Sequence, residues 1–281
     1  MHRRQLILGG DSKLGIQISK KLRDLHIDYE STTRQHAKVT ERVHFLDLSN
    51  PTLNIDFPKF DVVYFLAGNT SVLECSKERD KTFLLNVTNT LELIRLFEAS
   101  GSKIIFPSSN HVFSGKQPRT PIDSLDSPQS EYGRQKRIVE SELLKSPGVN
   151  SVVRLGKIVW RGFPLFENWK NAILSYEEVI IHANKYISPI TLEEATSFLV
   201  KLANSEHSGL HQLSAPDDIS YLDVFNLIAV ALNAYPYQKI LFHQELPIPI
   251  YSSMEESSMV TEFIGKTPTS KALLTSLFAE I

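Results

Sequence analysis

Tyr132 and Lys136 stand four residues apart in Tyr132-Gly133-Arg134-Gln135-Lys136, inside a stretch patterned as a helix. That spacing stacks the two side chains on one face, one turn apart. An ammonium near a phenol favours the phenolate, so Lys136 is expected to bring the tyrosine down from its usual pKa of about 10. A tyrosine tuned in this way can pass a proton to or from a sugar or alcohol oxygen. Tyr132, Lys136, Val139 and Leu143 form one helical stripe, which turns the pair towards packed protein rather than open water. A second group, Ser108-Ser109-Asn110-His111, follows an apolar run at Lys103-Ile104-Ile105-Phe106. A hydroxyl at a strand end can hold a substrate oxygen and stabilise charge that develops on it. The plain alternatives are a chance Tyr/Lys pair on a core-facing helix and a serine pair that caps a turn.

The third group is Gly9-Gly10-Asp11-Ser12-Lys13-Leu14-Gly15, directly after the apolar run Leu6-Ile7-Leu8. Residues without bulk between a strand and a helix let backbone N–H groups approach a pyrophosphate. Gly9 permits a tight turn and Gly15 a close packing of helix on strand. Ser12 takes the middle place, where glycine is usual, and its hydroxyl is a candidate phosphate ligand. Lys13 adds charge, and Leu14 opens the helix. The next strand ends in Ser31-Thr32-Thr33-Arg34. An acidic residue at that end holds the ribose of NAD, whereas Arg34 there pairs with the 2′-phosphate of NADP. Arg34 favours NADP; Glu30 keeps NAD open if the strand end lies earlier, and a solvated Arg34 is the bland alternative.

These groups need a scaffold. Strands are expected at Leu6–Leu8, Asp28–Thr33, Val43–Leu46, Val62–Leu66, Lys103–Phe106 and Ser151–Leu155. Helices fall at about Leu14–Leu25, Lys81–Ala99 and Tyr132–Leu144. Short, nearly continuous apolar strands alternating with helices specify a parallel sheet covered on both faces. The expected architecture is therefore α/β, a Rossmann-type doubly wound parallel sheet with a smaller C-terminal substrate-binding domain. The boundary is set at residues 1–156 for the dinucleotide-binding domain and 157–281 for the second, with about 187–214 returning to the main sheet. In that half a helix is expected at Leu192–Ala203, a strand at Gly209–Leu213 and a helix at Tyr221–Leu232 capped by Ser220; the tail from Pro247 is left unassigned.

Composition narrows the class. Thirty basic and 32 acidic residues leave a formal charge of −2, so no bulk basicity points to nucleic acid. Cys75 is the single cysteine, which rules out an internal disulfide and a cysteine-based zinc site. No run approaches the ~18 apolar residues of a membrane span. A cytoplasmic protein with no metal is expected.

Taken together, the motifs resemble the extended short-chain dehydrogenase/reductase superfamily, and within it the sugar-nucleotide branch typified by dTDP-4-dehydrorhamnose reductase. The resemblance runs from Leu6 to about Leu232. Besides the groups above it includes Asp47-Leu48, Leu66-Ala67-Gly68, Asn86-Val87-Thr88-Asn89-Thr90, Arg154-Leu155-Gly156, Ser188-Pro189-Ile190 and Gly209 to Ser214. It implies that Tyr132 is the general acid towards the carbonyl of a keto-sugar, that Lys136 tunes it and binds the nicotinamide ribose, and that Ser109 holds the substrate oxygen. It further implies that Asn86 supports a proton relay, that Asp47 and Leu48 border the adenine, and that Ala67 and Gly68 line the cofactor. Dehydratases of the superfamily carry Asp-Glu after the serine; Asn110-His111 stands here instead, which argues against sugar dehydration and makes both residues candidate substrate contacts. A sugar nucleotide carries a diphosphate, for which Arg161, Lys157 and Lys170 are candidate cations, with Trp160, Phe163 and Trp169 as stacking partners or as ordinary core. Relatives often dimerise through the helices of residues 81–99 and 132–144, where Leu93, Leu96, Ile138 and Leu144 supply apolar surface for a homodimer. The expected activity is NADP-dependent reduction of a nucleotide-linked keto-sugar for surface polysaccharide or cell-envelope synthesis. The alternatives are an NAD-dependent epimerase and a non-catalytic cofactor-binding regulatory subunit.

Overall fold

The computed structural model describes residues 3–49, 57–242 and 249–279; the tail's start at Pro247 lies outside them. The chain divides into two compact units. The first comprises residues 1–113, 125–154 and 193–211, and the second residues 114–124, 155–192 and 212–281.

The first unit is built on β1 (Gln5–Leu8), α1 (Lys13–Asp24), β2 (Tyr29–Thr33), β3 (Val43–Phe45) and β4 (Val62–Phe65). It continues through α2 (Val72–Lys77), α3 (Arg79–Phe83), α4 (Thr90–Ala99), β5 (Lys103–Ser109), α5 (Glu131–Lys145) and β6 (Ser151–Leu155). The sheet has seven strands, with the six named here in the order β6-β5-β4-β1-β2-β3 and a later strand outside β6. The β1–β2, β1–β4, β2–β3 and β4–β5 pairs are parallel. The order reverses between β1 and β4, which opens the crevice where such sheets bind ligands. Every residue of β1 and of β4 is buried, as a sheet covered on both faces requires. The core packs Leu6, Leu8, Val63 and Phe65 against Ile94, Phe97, Val139 and Leu143 from α4 and α5.

Two local features differ from the expected pattern. The stretch expected as one helix over 81–99 is α3, a π-turn over Leu84–Asn89, and α4. β5 runs on to Ser109, so both serines belong to the strand itself. Of the apolar residues expected on the outer helix faces, Leu93 is in the core, whereas Leu96 and Leu144 are exposed.

The second unit holds β7 (Lys157–Val159), α6 (Pro164–Leu174), β8 (Val179–Ile181), β9 (Tyr186–Ile187) and β10 (Pro189–Thr191). α7 (Leu192–Ala203) and most of β11 (Gly209–Leu213), the seventh strand of the large sheet, return to the first unit. β12 (Ile219–Ser220), α8 (Tyr221–Ala231), β13 (Ile240–Phe242), α9 (Ser258–Ile264) and α10 (Ser270–Phe278) complete the second. Its strands form three two-stranded pairs, β7–β10 and β8–β13 parallel and β9–β12 antiparallel. The Ser220 hydroxyl accepts from the Asp223 amide and caps α8 as expected. α6, α8 and α10 supply the core, with Phe166, Trp169, Phe225, Ile228 and Leu274 buried in it.

Candidate active site

The glycine loop leaves β1 with Gly9 at φ +89°, and a Cβ there would stand 2.9 Å from the Ala67 amide nitrogen. A Cβ on Gly15 would stand 2.5 Å from the Gly9 carbonyl oxygen, so both positions exclude a side chain. The loop is laced to the end of β2: the Gly9 amide donates to the Thr32 hydroxyl at 2.9 Å and the Gly10 amide to the Thr32 carbonyl at 2.9 Å. Ser12 stands at the start of α1 and lines the cavity described below. It caps α1, accepting from the Gly15 amide at 3.0 Å and donating to the Gly9 carbonyl at 2.9 Å. A helix start leaves its first amides unpaired, and a serine cap satisfies one of them. The amides of Lys13 and Leu14, in the first turn of α1, have no partner among the described residues. They are the donors that a helix N-terminus offers to a phosphate.

A cavity of about 630 Å³ opens in front of this loop. Gly9, Ser12, Arg34, Asp47, Leu48, Ala67 and Gly68 line it, and Asp11, Thr33, Asn69 and Thr82 join them. Arg34 follows the last residue of β2 and is exposed. Glu30 is not at that end: it is buried and bonded to Arg4 and His44. Its register opposite Leu6 places it mid-strand, which removes it as a ribose ligand. The Asp47 carboxylate accepts from the amide and hydroxyl of Ser49, which hold its pKa below the usual carboxylate range. Loop, cavity and free helix-start amides together suit a dinucleotide.

Asn86 and Asn89, both in the π-turn, fix two walls of the cavity. Asn86 accepts from the Asn69 amide at 2.7 Å and donates to the Asn69 carbonyl at 2.9 Å. Asn89 donates to the Leu48 carbonyl at 2.6 Å. Asn86 also donates to Gln135 at 2.8 Å, and Gln135 donates to Thr82 and Glu131, both at 3.0 Å. The buried Gln135 thus ties α5 to the cavity wall, a role that reading Tyr132 and Lys136 alone misses.

The second cluster lies where β5 meets α5. Tyr132 is buried and hydrogen-bonded to Ser109. The His111 ring stands edge-on to the Tyr132 ring at 5.8 Å, and the Ser109 hydroxyl donates to the Asn110 side-chain oxygen at 3.3 Å. Asn110, His111 and Val112 form a 3₁₀ turn that sits on α5 at Gly133. A Cβ on Gly133 would stand 1.9 Å from the His111 carbonyl oxygen, so glycine is what lets the turn dock. Lys136 donates to the Pro107 carbonyl at 2.9 Å and lies 4.3 Å over the Phe106 ring. Burial pushes its amine down to about 8, with Glu140 and Cys75 opposing.

The tyrosine departs from expectation. Its pKa is raised above the usual value, by burial first and then by the nearby Cys75 thiol, with the Ser109 hydrogen bond opposing. The Lys136 ammonium is spent on a backbone carbonyl and an aromatic face, while desolvation of the phenol dominates. Burial favours the neutral phenol of Tyr132 over the phenolate. One turn on, Glu140 and Arg154 form a buried pair at 2.9 Å, and Arg154 lies 4.8 Å over the Phe113 ring.

In the second unit, Arg161 is exposed in the turn between β7 and α6. Lys157 lies 5.3 Å over the Phe163 ring, and Lys170 faces Glu167 at 3.9 Å. Trp169 is core, packed edge-on to Tyr221 and Phe225. Among the described residues no group of side chains suits a metal ion, and no helix is long and apolar enough to cross a membrane.

A family model described as RmlD substrate binding domain matches residues 3–281. The spore coat polysaccharide biosynthesis protein SpsK of Bacillus subtilis is 24% identical over 218 residues, covering 74% of this chain and 72% of that protein. The dTDP-4-dehydrorhamnose reductase of Bacillus anthracis, solved with NADP, superposes with a TM-score of 0.82 at 19% identity, covering 100% of this chain and 99% of that one. The UDP-glucose 4-epimerase of Thermotoga maritima, solved with UDP-glucose, gives 0.83 at 15% identity, covering 98% and 96%.

Proposed function

The chain belongs to the RmlD substrate-binding-domain family, and on that premise we propose that it is an NAD(P)-dependent oxidoreductase of the extended short-chain dehydrogenase/reductase type that reduces a nucleotide-linked keto-sugar of the 4-keto-6-deoxy class with NADPH. The observation that supports this reading is Tyr132, buried at the start of α5 beside Ser109 at the end of β5. A neutral phenol there gives a proton to a carbonyl oxygen as it becomes a hydroxyl. Ser109 holds the same oxygen and stabilises the charge that develops on it. Bound NADPH supplies the hydride. Lys136, fixed on Pro107, holds its ammonium next to the nicotinamide ribose, and the amides of Lys13 and Leu14 face the pyrophosphate. Gly9, Gly15, Ala67 and Gly68 leave room for it, Asp47 and Leu48 border the adenine, and Arg34 faces the 2′-phosphate. Asn86 acts through Asn69 as a positioning residue. Asn110 and His111 are the substrate contacts on the first unit. The product class fits polysaccharide synthesis, the process for which the Bacillus subtilis relative is named.

The test is NADPH consumption with a panel of dTDP- and UDP-linked 4-keto-6-deoxy sugars. Tyr132→Phe is expected to cut turnover by about 10²–10⁴-fold while the NADPH dissociation constant stays within about twofold, since one hydroxyl is lost from the acid and none from the cavity. Wild-type protein that isomerises UDP-sugars with retained NAD, and consumes no NADPH, would replace the reductase by the epimerase reading.

A further inference from the structure

Asp11 is the residue of the glycine loop that none of the roles above explains. It lines the 630 Å³ cavity beside Thr33 and Arg34. Its carboxylate takes a hydrogen bond from the hydroxyl of Thr33, the last residue of β2, and pairs with Lys38 at 2.9 Å. Thr33 is itself fixed, because its hydroxyl accepts from the Gln35 amide at 3.0 Å. Lys38 closes a 3₁₀ turn, His36–Lys38, which is anchored by the His36 ring stacked on Phe45 at 4.0 Å. The Thr33 hydrogen bond, then that of Lys38, holds Asp11 below the usual carboxylate range, with Arg34 adding to the effect. One carboxylate and two cations therefore meet at the end of β2, and the carboxylate comes from the loop rather than from the strand.

In a dinucleotide sheet this place faces the adenosine ribose, where a carboxylate accepts from the 2′-hydroxyl of NAD and a cation pairs with the 2′-phosphate of NADP. A phosphate monoester carries a charge of about −1.5 to −2 at neutral pH, so an ionised neighbour repels it. The Asp11 carboxylate takes up part of the Lys38 charge and donor capacity that a phosphate would otherwise meet. We propose that Asp11 is a cofactor-selecting residue: its carboxylate competes with the 2′-phosphate for Lys38 and accepts from the 2′-hydroxyl, so that the Asp11–Lys38 pair, and not Arg34 alone, sets the balance between NADP and NAD. The inference rests on reading the cavity as a dinucleotide site.

The experiment titrates the full chain with NADPH and with NADH, by fluorescence, for wild type, Asp11→Asn, Lys38→Met and the double variant. Both side chains are partly solvent-facing, 35% and 53% exposed, and Asn matches Asp in shape. Asp11→Asn is expected to tighten NADPH by about tenfold and to weaken NADH severalfold, and Lys38→Met to weaken NADPH by about tenfold with NADH nearly unchanged. The gain from Asp11→Asn should shrink once Lys38 is gone, which is the signature of competition for one cation. If Asp11→Asn shifts both dinucleotides equally, or the two substitutions simply add, the competition is refuted while the dinucleotide site stands. If wild type binds neither dinucleotide, the reading of the cavity fails and this inference falls with it.

Discussion

The end of β1 and the end of β5 solve different problems with different materials. At β1 the chain is organised through its backbone: Gly9 and Gly10 bond to Thr32, Ser12 caps α1, and side chains are excluded by close approach. The charges there, Asp11, Lys38 and Arg34, stand in or near solvent. At β5 the groups that matter are side chains taken out of water. Tyr132 is raised and Lys136 lowered by burial, and the charged pair behind them is almost fully enclosed. A place that must grip a polyanion gains from free amides and solvated charge. A place that must hold a proton on a phenol gains from desolvation.

If that contrast is right, damage at the two ends should differ in kind. The largest effect is expected from Glu140→Ala, which takes the buried carboxylate away from the buried Arg154 guanidinium: a loss of about 3–5 kcal/mol in urea unfolding. A loss below about 1 kcal/mol would mean that the β5 end does not depend on enclosed charge. Gly133→Ala comes next, because the new methyl must displace the His111 carbonyl. Overpacking of this kind costs about 1–3 kcal/mol, and the displaced turn should lower turnover more than NADPH affinity. Equal losses of both would dissolve the distinction between the two clusters.

The pH profile sharpens the contrast further. Lys136 is charged below about 8 and neutral above it. Turnover that needs the ammonium should therefore hold up to about pH 8 and then fall about tenfold per pH unit. Tyr132, raised by burial, stays protonated through that window and adds no descending limb below it. A limb that persists unchanged in Lys136→Arg, whose guanidinium does not titrate there, would assign it to another group. The smallest effect is expected from Ser12→Ala. Loss of the cap should cost about 1 kcal/mol of stability and change dinucleotide affinity by less than about threefold. A much larger loss of affinity would return the hydroxyl to the phosphate.

Much of this was legible in the sequence, for reasons that also explain what was not. The parallel sheet announced itself through short apolar strands, and the Tyr132–Lys136 stripe through helical spacing. Gly9 and Gly15 were legible because a strand-to-helix turn has few ways to be tight. The purpose of Gly133 was hidden, since the carbonyl that demands it comes from the far end of another loop. The role of Gln135 was not legible, because its partners Asn86 and Thr82 arrive from the π-turn and α3. Glu30 depended on knowing which residues face each other across β1 and β2. The direction of the tyrosine shift was misjudged for a similar reason. Spacing places a lysine near a phenol, but only the fold says that the ammonium is committed to Pro107 and that the phenol is dry.

The π-turn over Leu84–Asn89 has a consequence of phase. A regular helix advances by about 100° per residue, and a π-turn holds one residue more than its span requires. Everything on the α3 side is therefore out of step with everything on the α4 side by one position. Removing a single residue here would let the two segments heal into one uninterrupted helix, at no loss of backbone hydrogen bonding. It would also rotate α3 and the first half of the turn against α4, so that Asn86 and Asn89 no longer point at Asn69 and Leu48 in the same molecule. The surplus residue works as a vernier: it gives one rod two angular settings, and each setting serves a different wall of the same cavity.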